Sequence, residues 1–382
     1  MRIGLITGEY PPMQGGVADF TRQLALAFVN ADHVVAVLTD RRGTGLDDAG
    51  IEVDPLVFNW NRASLGVVRR WARKRRLDVL NLQYQTAAYN MAPLIHWLPE
   101  LVLPLPFVTT FHDLRVPYLF PKAGPVRKWW VWKLARGSAA AIVTNPEDEH
   151  ELITAGGVQN LARIPIGSNV LPALPDGYSP GAWRAAHGLA PDDFLIAYFG
   201  FMNRSKGVDV LLRAVAELED RPVKLVMIGG RTGISDPTNA AFAEEIDALV
   251  VRLGLAERVI WTGFLAPEAV SAWLAAADCC ALPFLDGMSY RRGSLMAALV
   301  HGCAIVSTQP TAPYSEVENG RHMLLVPPGD AAALRDALAQ LMQDRQLIAR
   351  LKDGARDLRR QFDWGAIAAE TLRVYGAVLN RL

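Results

Sequence analysis

Residues 1–30, MRIGLITGEYPPMQGGVADFTRQLALAFVN, contain the first complete structural unit of the chain. The apolar run 3–7 predicts a buried strand, and a loop rich in Gly and Pro follows it. Phe20, Leu24 and Phe28 then recur at helical spacing, which predicts a helix whose apolar face packs on a sheet. A strand, a loop and an amphipathic helix in this order are typical of parallel sheets covered by helices.

The same alternation of short apolar runs and helical patterns continues to the end of the chain. The fold class is therefore α/β, with two successive doubly wound, Rossmann-like parallel sheets. The first series of predicted strands lies at 3–7, 33–38, 79–83, 107–111, 140–144 and 163–166. The second series lies at 194–199, 223–228, 259–262, 279–282, 304–307 and 324–326.

A division into two domains is expected because 382 residues, 51% of them hydrophobic, exceed the usual size of a single core. The segment SNVLPALPDGYSPGAW, 168–183, lacks periodicity and is predicted to contain the linker. We place the domains at 1–170 and 171–362. The crevice edges of the two sheets are expected to face each other across a cleft that binds a substrate.

Composition excludes several classes of protein. Lys plus Arg and Asp plus Glu are both 39, so no global attraction for nucleic acid is expected. The chain shows neither a signal peptide at its start nor a run of about 20 apolar residues, which predicts a cytoplasmic protein. Cys279, Cys280 and Cys303 lie in apolar segments without metal-site spacing, and are predicted to be reduced core residues.

Two strand ends in the first half carry candidate binding residues. Gly15 and Gly16 precede the first helix, where backbone amides can approach a phosphate, although a tight turn alone would also explain them. His112 and Asp113 follow a predicted strand, so they lie at the crevice edge. The histidine can bind a sugar hydroxyl there, or it can merely cap the strand.

The second half contains two basic loops between a strand and a helix. Arg204 and Lys206 occupy the first loop, where they can hold a diphosphate or lie on the surface. The second is the strongest anion site in the sequence because a helix start, predicted to be capped by Ser294, adjoins two arginines. Its candidate residues are Asp286, Ser289, Arg291, Arg292, Gly293 and Ser294. The G-x-G-x-x-G and Walker motifs are absent, which disfavours a dehydrogenase or an ATPase.

The segments VRRWARKRR (68–76) and VRKWWVWKLAR (126–136) combine basic and aromatic residues. Helical spacing can place tryptophans beside lysines and arginines, which is typical of a surface that rests on anionic lipid. The alternative is a solvated helix face with buried tryptophans.

The ordered motifs of the chain resemble the retaining family 4 glycosyltransferases (glycosyl transferases group 1) of the GT-B fold. The resemblance spans nearly the whole sequence. The segments that carry it are PPMQGGVADFTRQLA, TTFHD, RIPIGSNV, GFMNRSKGVDVLLRA, VMIGG, LMAALVHGCAIVST and FDWGAIA.

The resemblance implies a nucleotide-sugar donor on the C-terminal domain and an acceptor, which is a glycan, a lipid-linked molecule or a small molecule, mainly on the N-terminal one. Lys206 would bind the donor diphosphate, Gly16 would approach the reacting groups, and His112 would contact the sugar. Glu316 would lie in the acidic stretch before the LLVPP strand. The last helix, residues 363–382, would cross back to the N-terminal domain.

Two positions depart from the family pattern. The residue after Gly200 is Phe201 where the family has Arg, so Arg204 is the candidate substitute. The family also carries two glutamates eight positions apart, and Ser289 and Ala297 occupy those positions. Asp286 is the candidate replacement for the first acid, and nothing replaces the second.

The predicted reaction is a hexosyl transfer with retention, in which Lys206, arginine and helix N-termini stabilise the leaving diphosphate and no metal or other cofactor is required. The context we expect is bacterial cell-surface glycan synthesis, with peripheral contact at the inner membrane face. Two alternatives stay open. One is a non-catalytic sugar-binding or partner-activating subunit, and the other is a nucleotide-sugar epimerase of the same architecture.

Overall fold

The computed structural model describes residues 1–13, 15–43, 50–114, 124–218, 222–230 and 238–381 of the chain. Two sheets of parallel strands, each flanked by helices, make up this part of the protein. Contacts divide the chain into a first unit of residues 1–169 and 361–382 and a second unit of residues 170–360. The fold is the predicted α/β class with two Rossmann-like domains.

The first unit contains a seven-stranded sheet of order β3-β2-β1-β4-β5-β6-β7. Its strands are β1 Arg2–Thr7, β2 Val34–Asp40, β3 Ile51–Val57, β4 Val79–Tyr84, β5 Phe107–Phe111, β6 Ala140–Val143 and β7 Leu161–Arg163. Its helices are α1 Gly16–Asn30, α2 Arg62–Arg75, α3 Leu98–Val102, α4 Gly124–Gly137 and α5 Pro146–Ala155, with short 3-10 turns at Thr86–Tyr89 and Pro93–Trp97.

The C-terminal segment also packs in the first unit. Helix α13, Trp364–Leu379, lies on α1, where Tyr375 packs against Phe28 with ring centroids 5.8 Å apart. Trp364 donates its indole N–H to the carbonyl of Ser168 at 3.0 Å. Burying two aromatic side chains such as Phe28 and Tyr375 stabilises the unit by a few kcal/mol, on the order of 2 kcal/mol each.

Two strands of this unit differ from the prediction. Strand β3 was not predicted because Glu52, Asp54 and a proline interrupt its apolar residues, which is tolerated at the edge of a sheet. Arg75 of α2 forms ion pairs with Glu52 and Asp54 and so ties the strand to the unit. The last strand is β7 at 161–163, so the prediction of 163–166 was displaced toward the C-terminus.

The second unit contains a six-stranded sheet of order β10-β9-β8-β11-β12-β13. Its strands are β8 Phe194–Phe199, β9 Val223–Ile228, β10 Val259–Gly263, β11 Cys279–Leu282, β12 Ile305–Thr308 and β13 Leu324–Val326. Its helices are α6 Pro180–Ala186, α7 Val208–Ala216, α8 Thr238–Arg252, α9 Pro267–Ala276, α10 Gly293–Val300, α11 Ala331–Gln343 and α12 Arg345–Leu358.

The three cysteines are buried in this second unit and form no disulfide, as predicted. Burial raises the pKa of the Cys303 thiol to about 12, so the group stays protonated. Among the helices that the structure describes, none combines the length and the apolar content needed to cross a bilayer.

Candidate functional site

The second sheet reverses its strand order between β8 and β11, and both basic loops follow these two strands. A 3-10 turn at Arg204–Lys206 follows β8, and the loop 283–292 leads from β11 to α10. The backbone N–H of Leu285 donates to the carbonyl of Ser205 at 2.8 Å, which joins the two loops directly. The carboxyl ends of strands at such a reversal are the usual ligand crevice of doubly wound sheets.

Lys206 is a half-buried cation without a carboxylate partner in the described part of the chain. Burial and, to a smaller extent, the nearby positive charge of Arg292 together lower the pKa of its ammonium group to about 8. Gly200 leaves room for this ammonium group. A Cβ on Gly200 would lie 2.7 Å from the Lys206 Nζ, and the φ of Gly200, +126°, also favours glycine.

Arg292 is fixed by three neighbours. Its guanidinium forms an ion pair with Asp286, donates to the Ser205 hydroxyl at 3.3 Å, and lies 5.0 Å from the centre of the Phe284 ring. Asp286, predicted as the replacement for the first family acid, is therefore the partner that orients Arg292. A guanidinium held this way is suited to bind a phosphate beside the Lys206 ammonium.

The start of α10 differs from the prediction in one respect. The N-cap residue is Arg292, Gly293 is the first helical residue, and Ser294 is the second, so Ser294 is not the cap. The reason is that the helix begins at Gly293, two residues earlier than a cap at Ser294 requires. Ser294 is more than nine-tenths buried, and its hydroxyl has no partner among the described residues. With no side-chain cap, the first amides of α10 remain free to bind an anion.

Arg204 contacts two residues of α8. It donates to both carboxylate oxygens of Glu245 at 2.6 and 2.7 Å and lies 5.1 Å from the centre of the Phe242 ring on α8. The pair is exposed, and Phe201 beside it is also exposed. The geometry therefore gives Arg204 a surface contact rather than the role of a substitute phosphate ligand.

The two positions where the family carries glutamates are occupied by uncharged residues. The hydroxyl of Ser289 lies 3.1 Å from that of Tyr314 and accepts the backbone N–H of Arg291 at 3.4 Å. Ala297 is fully buried within α10. The half-buried Glu316 accepts a hydrogen bond from the hydroxyl of its neighbour Ser315 at 3.3 Å.

In the first unit, His112 follows β5 and is more than nine-tenths buried. Its Nε2 lies 3.0 Å from the Oε1 of Gln83, and its ring packs edge-on against Phe20 at 4.6 Å. Burial lowers the pKa of the imidazole to about 3, so the ring is neutral. Asp113 next to it is half-buried. Gln83 was missed from the sequence because it lies inside strand β4, one residue before the end of that strand at the same sheet edge.

The glycine pair before α1 lies beside a second residue that sequence reasoning missed. Gly15 is the N-cap of α1, and a Cβ on it would lie 2.3 Å from a carboxylate oxygen of Glu9. That carboxylate accepts hydrogen bonds from the backbone N–H groups of Val17 and Ala18, and burial raises its pKa. A Cβ on Gly16 would meet nothing within 4 Å among the residues that the structure describes. Glu9 thus occupies amides that were predicted to meet a phosphate.

The two basic and aromatic segments differ in how they place their tryptophans. Trp71 of α2 is buried and donates to Asp54 at 2.7 Å, as the alternative interpretation required. In α4, Trp129 is half exposed together with Val126. The cations Arg69, Arg70, Arg73, Lys74 and Arg76 are exposed and have no carboxylate partner in the described part of the chain.

Comparison with known proteins assigns both halves of the chain. Residues 15–167 match the family model described as Glycosyl transferase 4-like domain, and residues 193–344 match Glycosyl transferases group 1. A D-inositol 3-phosphate glycosyltransferase of Corynebacterium diphtheriae is 27% identical over 79% of this chain and 71% of its own. A phosphatidyl-myo-inositol mannosyltransferase of Mycobacterium leprae is 26% identical over 99% and 97%.

Solved structures share the fold. A sucrose-phosphate synthase from Thermosynechococcus elongatus matches with a TM-score of 0.75 at 22% identity over 100% of both chains. A glycosyltransferase from Rickettsia africae gives 0.80 at 16% identity over 100% of this chain and 99% of its own. These matches do not favour an epimerase. With both halves matched in order and this two-sheet fold, the chain belongs to the group 1 glycosyl transferases, family 4-like enzymes of the GT-B fold that carry out glycosyl transfer.

Proposed function

We propose that this chain is a retaining hexosyltransferase that takes its sugar from a nucleotide-sugar donor bound by the second unit. The acceptor, a glycan, a lipid-linked molecule or a small molecule, is bound mainly by the first unit. The observation that carries the proposal is the pair of Lys206 and Arg292 beside the uncapped start of α10. Two cations and free helix amides together match the charge of a diphosphate.

The leaving group determines how such a site would act. In a retaining transfer, the bond from the sugar carbon to the diphosphate breaks through an oxocarbenium-like transition state, and negative charge grows on the diphosphate. Lys206, Arg292 and the α10 amides would stabilise that charge where it develops. Because these groups supply the positive charge, the proposed reaction requires no metal ion. The acceptor hydroxyl would then attack from the face that the diphosphate leaves, and an oxygen of the departing diphosphate would take up the hydroxyl proton.

The names of the relatives suggest where to look for the acceptor. One relative is a D-inositol 3-phosphate glycosyltransferase and another a phosphatidyl-myo-inositol mannosyltransferase. A phosphorylated polyol, either free or linked to a lipid, is therefore the first acceptor class to test. Polyols without phosphate are the matched controls, since a phosphate contact should separate the two groups by ten-fold or more, about 1.4 kcal/mol.

A thermal-shift screen with EDTA present tests the donor site. UDP, GDP, ADP and their sugar conjugates would be compared, and a nucleotide at 100-fold its Kd should add about 2.7 kcal/mol of stability. Lys206→Met should abolish the shift. Lys224→Met is the matched control because Lys224 lies at the start of β9 and donates to the Glu257 carbonyl. A shift that requires added metal, or that survives in Lys206→Met, would refute the proposed site.

Product analysis then separates the enzyme from a non-catalytic subunit. Donor and acceptor would be incubated with the protein, and the anomeric configuration of the product read by NMR. Retention of configuration is expected. An inverted product would refute the retaining mechanism, and nucleotide binding without any product would favour the non-catalytic subunit.

The exposed cations of α2 support a second proposal, that the cytoplasmic protein contacts the inner membrane face during cell-surface glycan synthesis. Arg69, Arg73 and Arg76 line a cavity of about 300 Å³ together with apolar residues that include the exposed Leu103. Cations beside apolar surface are suited to anionic lipid, at about 1 kcal/mol per cation. Vesicles with anionic lipid should bind the protein, and those with neutral lipid should not. Equal binding to both, or unchanged binding in an R69E/R73E variant, would contradict it.

A further inference from the structure

A chain of buried polar side chains runs from His112 into the first sheet. His112 Nε2 lies 3.0 Å from Gln83 Oε1, and Gln83 Nε2 donates to Asn81 Oδ1 at 2.5 Å. Asn81 in turn lies 3.1 Å from the Thr110 hydroxyl on β5. All four residues are more than nine-tenths buried. Buried polar groups in such a chain have few other partners, so each one constrains the next.

The direction of these hydrogen bonds determines which nitrogen of the His112 imidazole carries the hydrogen. The Gln83 amide nitrogen donates to Asn81, so the Gln83 carbonyl oxygen faces His112. An amide oxygen only accepts hydrogen bonds, and His112 Nε2 must therefore carry the hydrogen. Burial keeps the ring neutral, since it lowers the pKa of His112 to about 3. The second ring nitrogen, Nδ1, is then an unprotonated acceptor.

The remaining contacts hold the ring but leave Nδ1 without a partner in the described part of the chain. The His112 backbone N–H donates to the Tyr84 carbonyl at 2.9 Å, and Phe20 packs edge-on against the ring at 4.6 Å. No described group donates to Nδ1. The imidazole is therefore fixed in position, and its one free polar atom accepts hydrogen bonds.

We propose that Gln83 is a positioning residue that holds His112 as the Nε2–H tautomer, so that Nδ1 accepts a hydrogen bond from a sugar hydroxyl. The inference rests on the proposed function for the identity of that ligand. It adds a preference: the site would favour a sugar that presents a hydroxyl to Nδ1 over the deoxy sugar that cannot donate. A site built around one such bond rejects the analogue because its acceptor is left unsatisfied.

The tautomer can be measured without any substrate. Protein labelled with ¹⁵N histidine contains seven histidines, and a His112→Gln spectrum identifies the signals of His112. We expect a protonated Nε2 and an unprotonated Nδ1. In Gln83→Leu, which removes the acceptor, the pattern should change to a mixture of tautomers. Thr110→Val disturbs the far end of the same series of hydrogen-bonded side chains without removing a partner of His112. This variant should keep the wild-type pattern.

Kinetics provide the second measurement. Gln83→Leu should lower kcat/KM about three- to ten-fold, the usual effect of one hydrogen bond. Gln83→Glu still accepts from Nε2, so it should restore the tautomer, but its negative charge favours the imidazolium. Its kcat/KM should therefore fall as the pH drops, because a protonated Nδ1 no longer accepts. The wild type should lack this fall.

The outcomes separate the inference from the proposed function. A wild-type spectrum with the hydrogen on Nδ1, or one that Gln83→Leu leaves unchanged, overturns the role of Gln83. Equal kcat/KM for a full series of monodeoxy sugars overturns the role of Nδ1. Failure of the proposed function would appear elsewhere, as the absence of any nucleotide-induced thermal shift, and would leave the tautomer measurement intact.

Discussion

Lys206 and Arg292 are two cations held side by side at the carboxyl ends of β8 and β11. Asp286 forms an ion pair with Arg292, whereas Lys206 has no carboxylate partner in the described part of the chain. Burial and the neighbouring charge together lower the pKa of Lys206 to about 8. A charged group in this environment destabilises the empty protein, and a bound anion would relieve the repulsion.

Replacing Lys206 by methionine should therefore stabilise the empty protein. Methionine keeps the length and the apolar stem of lysine but removes the buried charge, for a gain of about 1–2 kcal/mol in the free energy of unfolding. Urea unfolding at pH 7 measures this gain. Lys224→Met, at the start of β9, should be neutral within about 0.5 kcal/mol. A destabilised Lys206→Met protein would show that the lysine has a structural role instead.

Nucleotide affinity should depend on pH through the same group. The Lys206 ammonium is protonated below its pKa of about 8 and loses its charge as the pH rises through that value. A bound diphosphate raises this pKa, so binding takes up a proton above pH 8 and the Kd should increase up to ten-fold per pH unit. Calorimetry between pH 6.5 and 9.5 measures both the Kd and the proton uptake. A Kd that is constant over this range would exclude Lys206 as the phosphate ligand.

Asp286 should support donor binding through Arg292 rather than take part in the chemical step. Asp286→Asn removes the charge that orients the guanidinium, and should weaken nucleotide binding about three- to ten-fold with kcat little changed. An acid that reacts with the substrate would instead affect kcat by about 10²–10⁴-fold. Steady-state kinetics with saturating donor distinguish the two results.

Arg204 should contribute little to donor binding because its guanidinium is engaged with Glu245. The pair is exposed on both sides, and exposed pairs contribute little to stability, between about 0 and 1 kcal/mol. Arg204→Ala should therefore leave the nucleotide Kd unchanged within about two-fold, while Arg292→Ala weakens it at least ten-fold. Equal losses in both variants would mean that Arg204 leaves Glu245 and reaches the phosphate when donor binds.

The sequence was sufficient to predict strands of both sheets, because buried parallel strands are apolar along their whole length. Phe107–Phe111 and Cys279–Leu282 were predicted with the bounds that the structure has. Strand β3 was not predicted, since acidic residues alternate with its apolar residues. These acidic residues are tolerated in the strand because Arg75 forms ion pairs with them. Periodicity cannot reveal an ion-pair partner that lies 21 or 23 residues away in sequence.

The candidate site was predictable as a set of loops but not as a set of contacts. Loop chemistry and strand ends singled out Lys206, Arg292 and His112 as candidates, because ligands of doubly wound sheets bind at the carboxyl ends of the strands. Each cation forms an ion pair with the carboxylate that lies nearest to it in three dimensions. The spacing of residues in the sequence therefore could not indicate the partners of Asp286 and Arg204. Gln83 and Glu9 were missed because each is an ordinary polar residue until the fold places it beside His112 or Gly15.

The start of α1 provides a last prediction, about Glu9. Its carboxylate accepts the N–H groups of Val17 and Ala18, and it lies against Gly15. A phosphate that binds beside Gly15 and Gly16 would meet this negative charge. Glu9→Gln keeps an oxygen that can accept from the helix but removes the charge, so the affinity for a phosphorylated ligand should increase about two- to five-fold.

The sign of the pH effect separates Glu9 from other acids. Because burial raises its pKa, Glu9 is easier to protonate in the folded protein, and its contribution to stability is lost as the pH rises through the folded pKa. Glu9→Gln should remove that part of the pH dependence of stability, whereas Glu147→Gln in the first turn of α5 should not.

Calorimetric titration with inorganic phosphate and a phosphorylated polyol measures the affinity of the Glu9→Gln protein for phosphorylated ligands. If Glu9→Gln binds both no better than wild type does, the start of α1 is closed by its own carboxylate and is not a phosphate site.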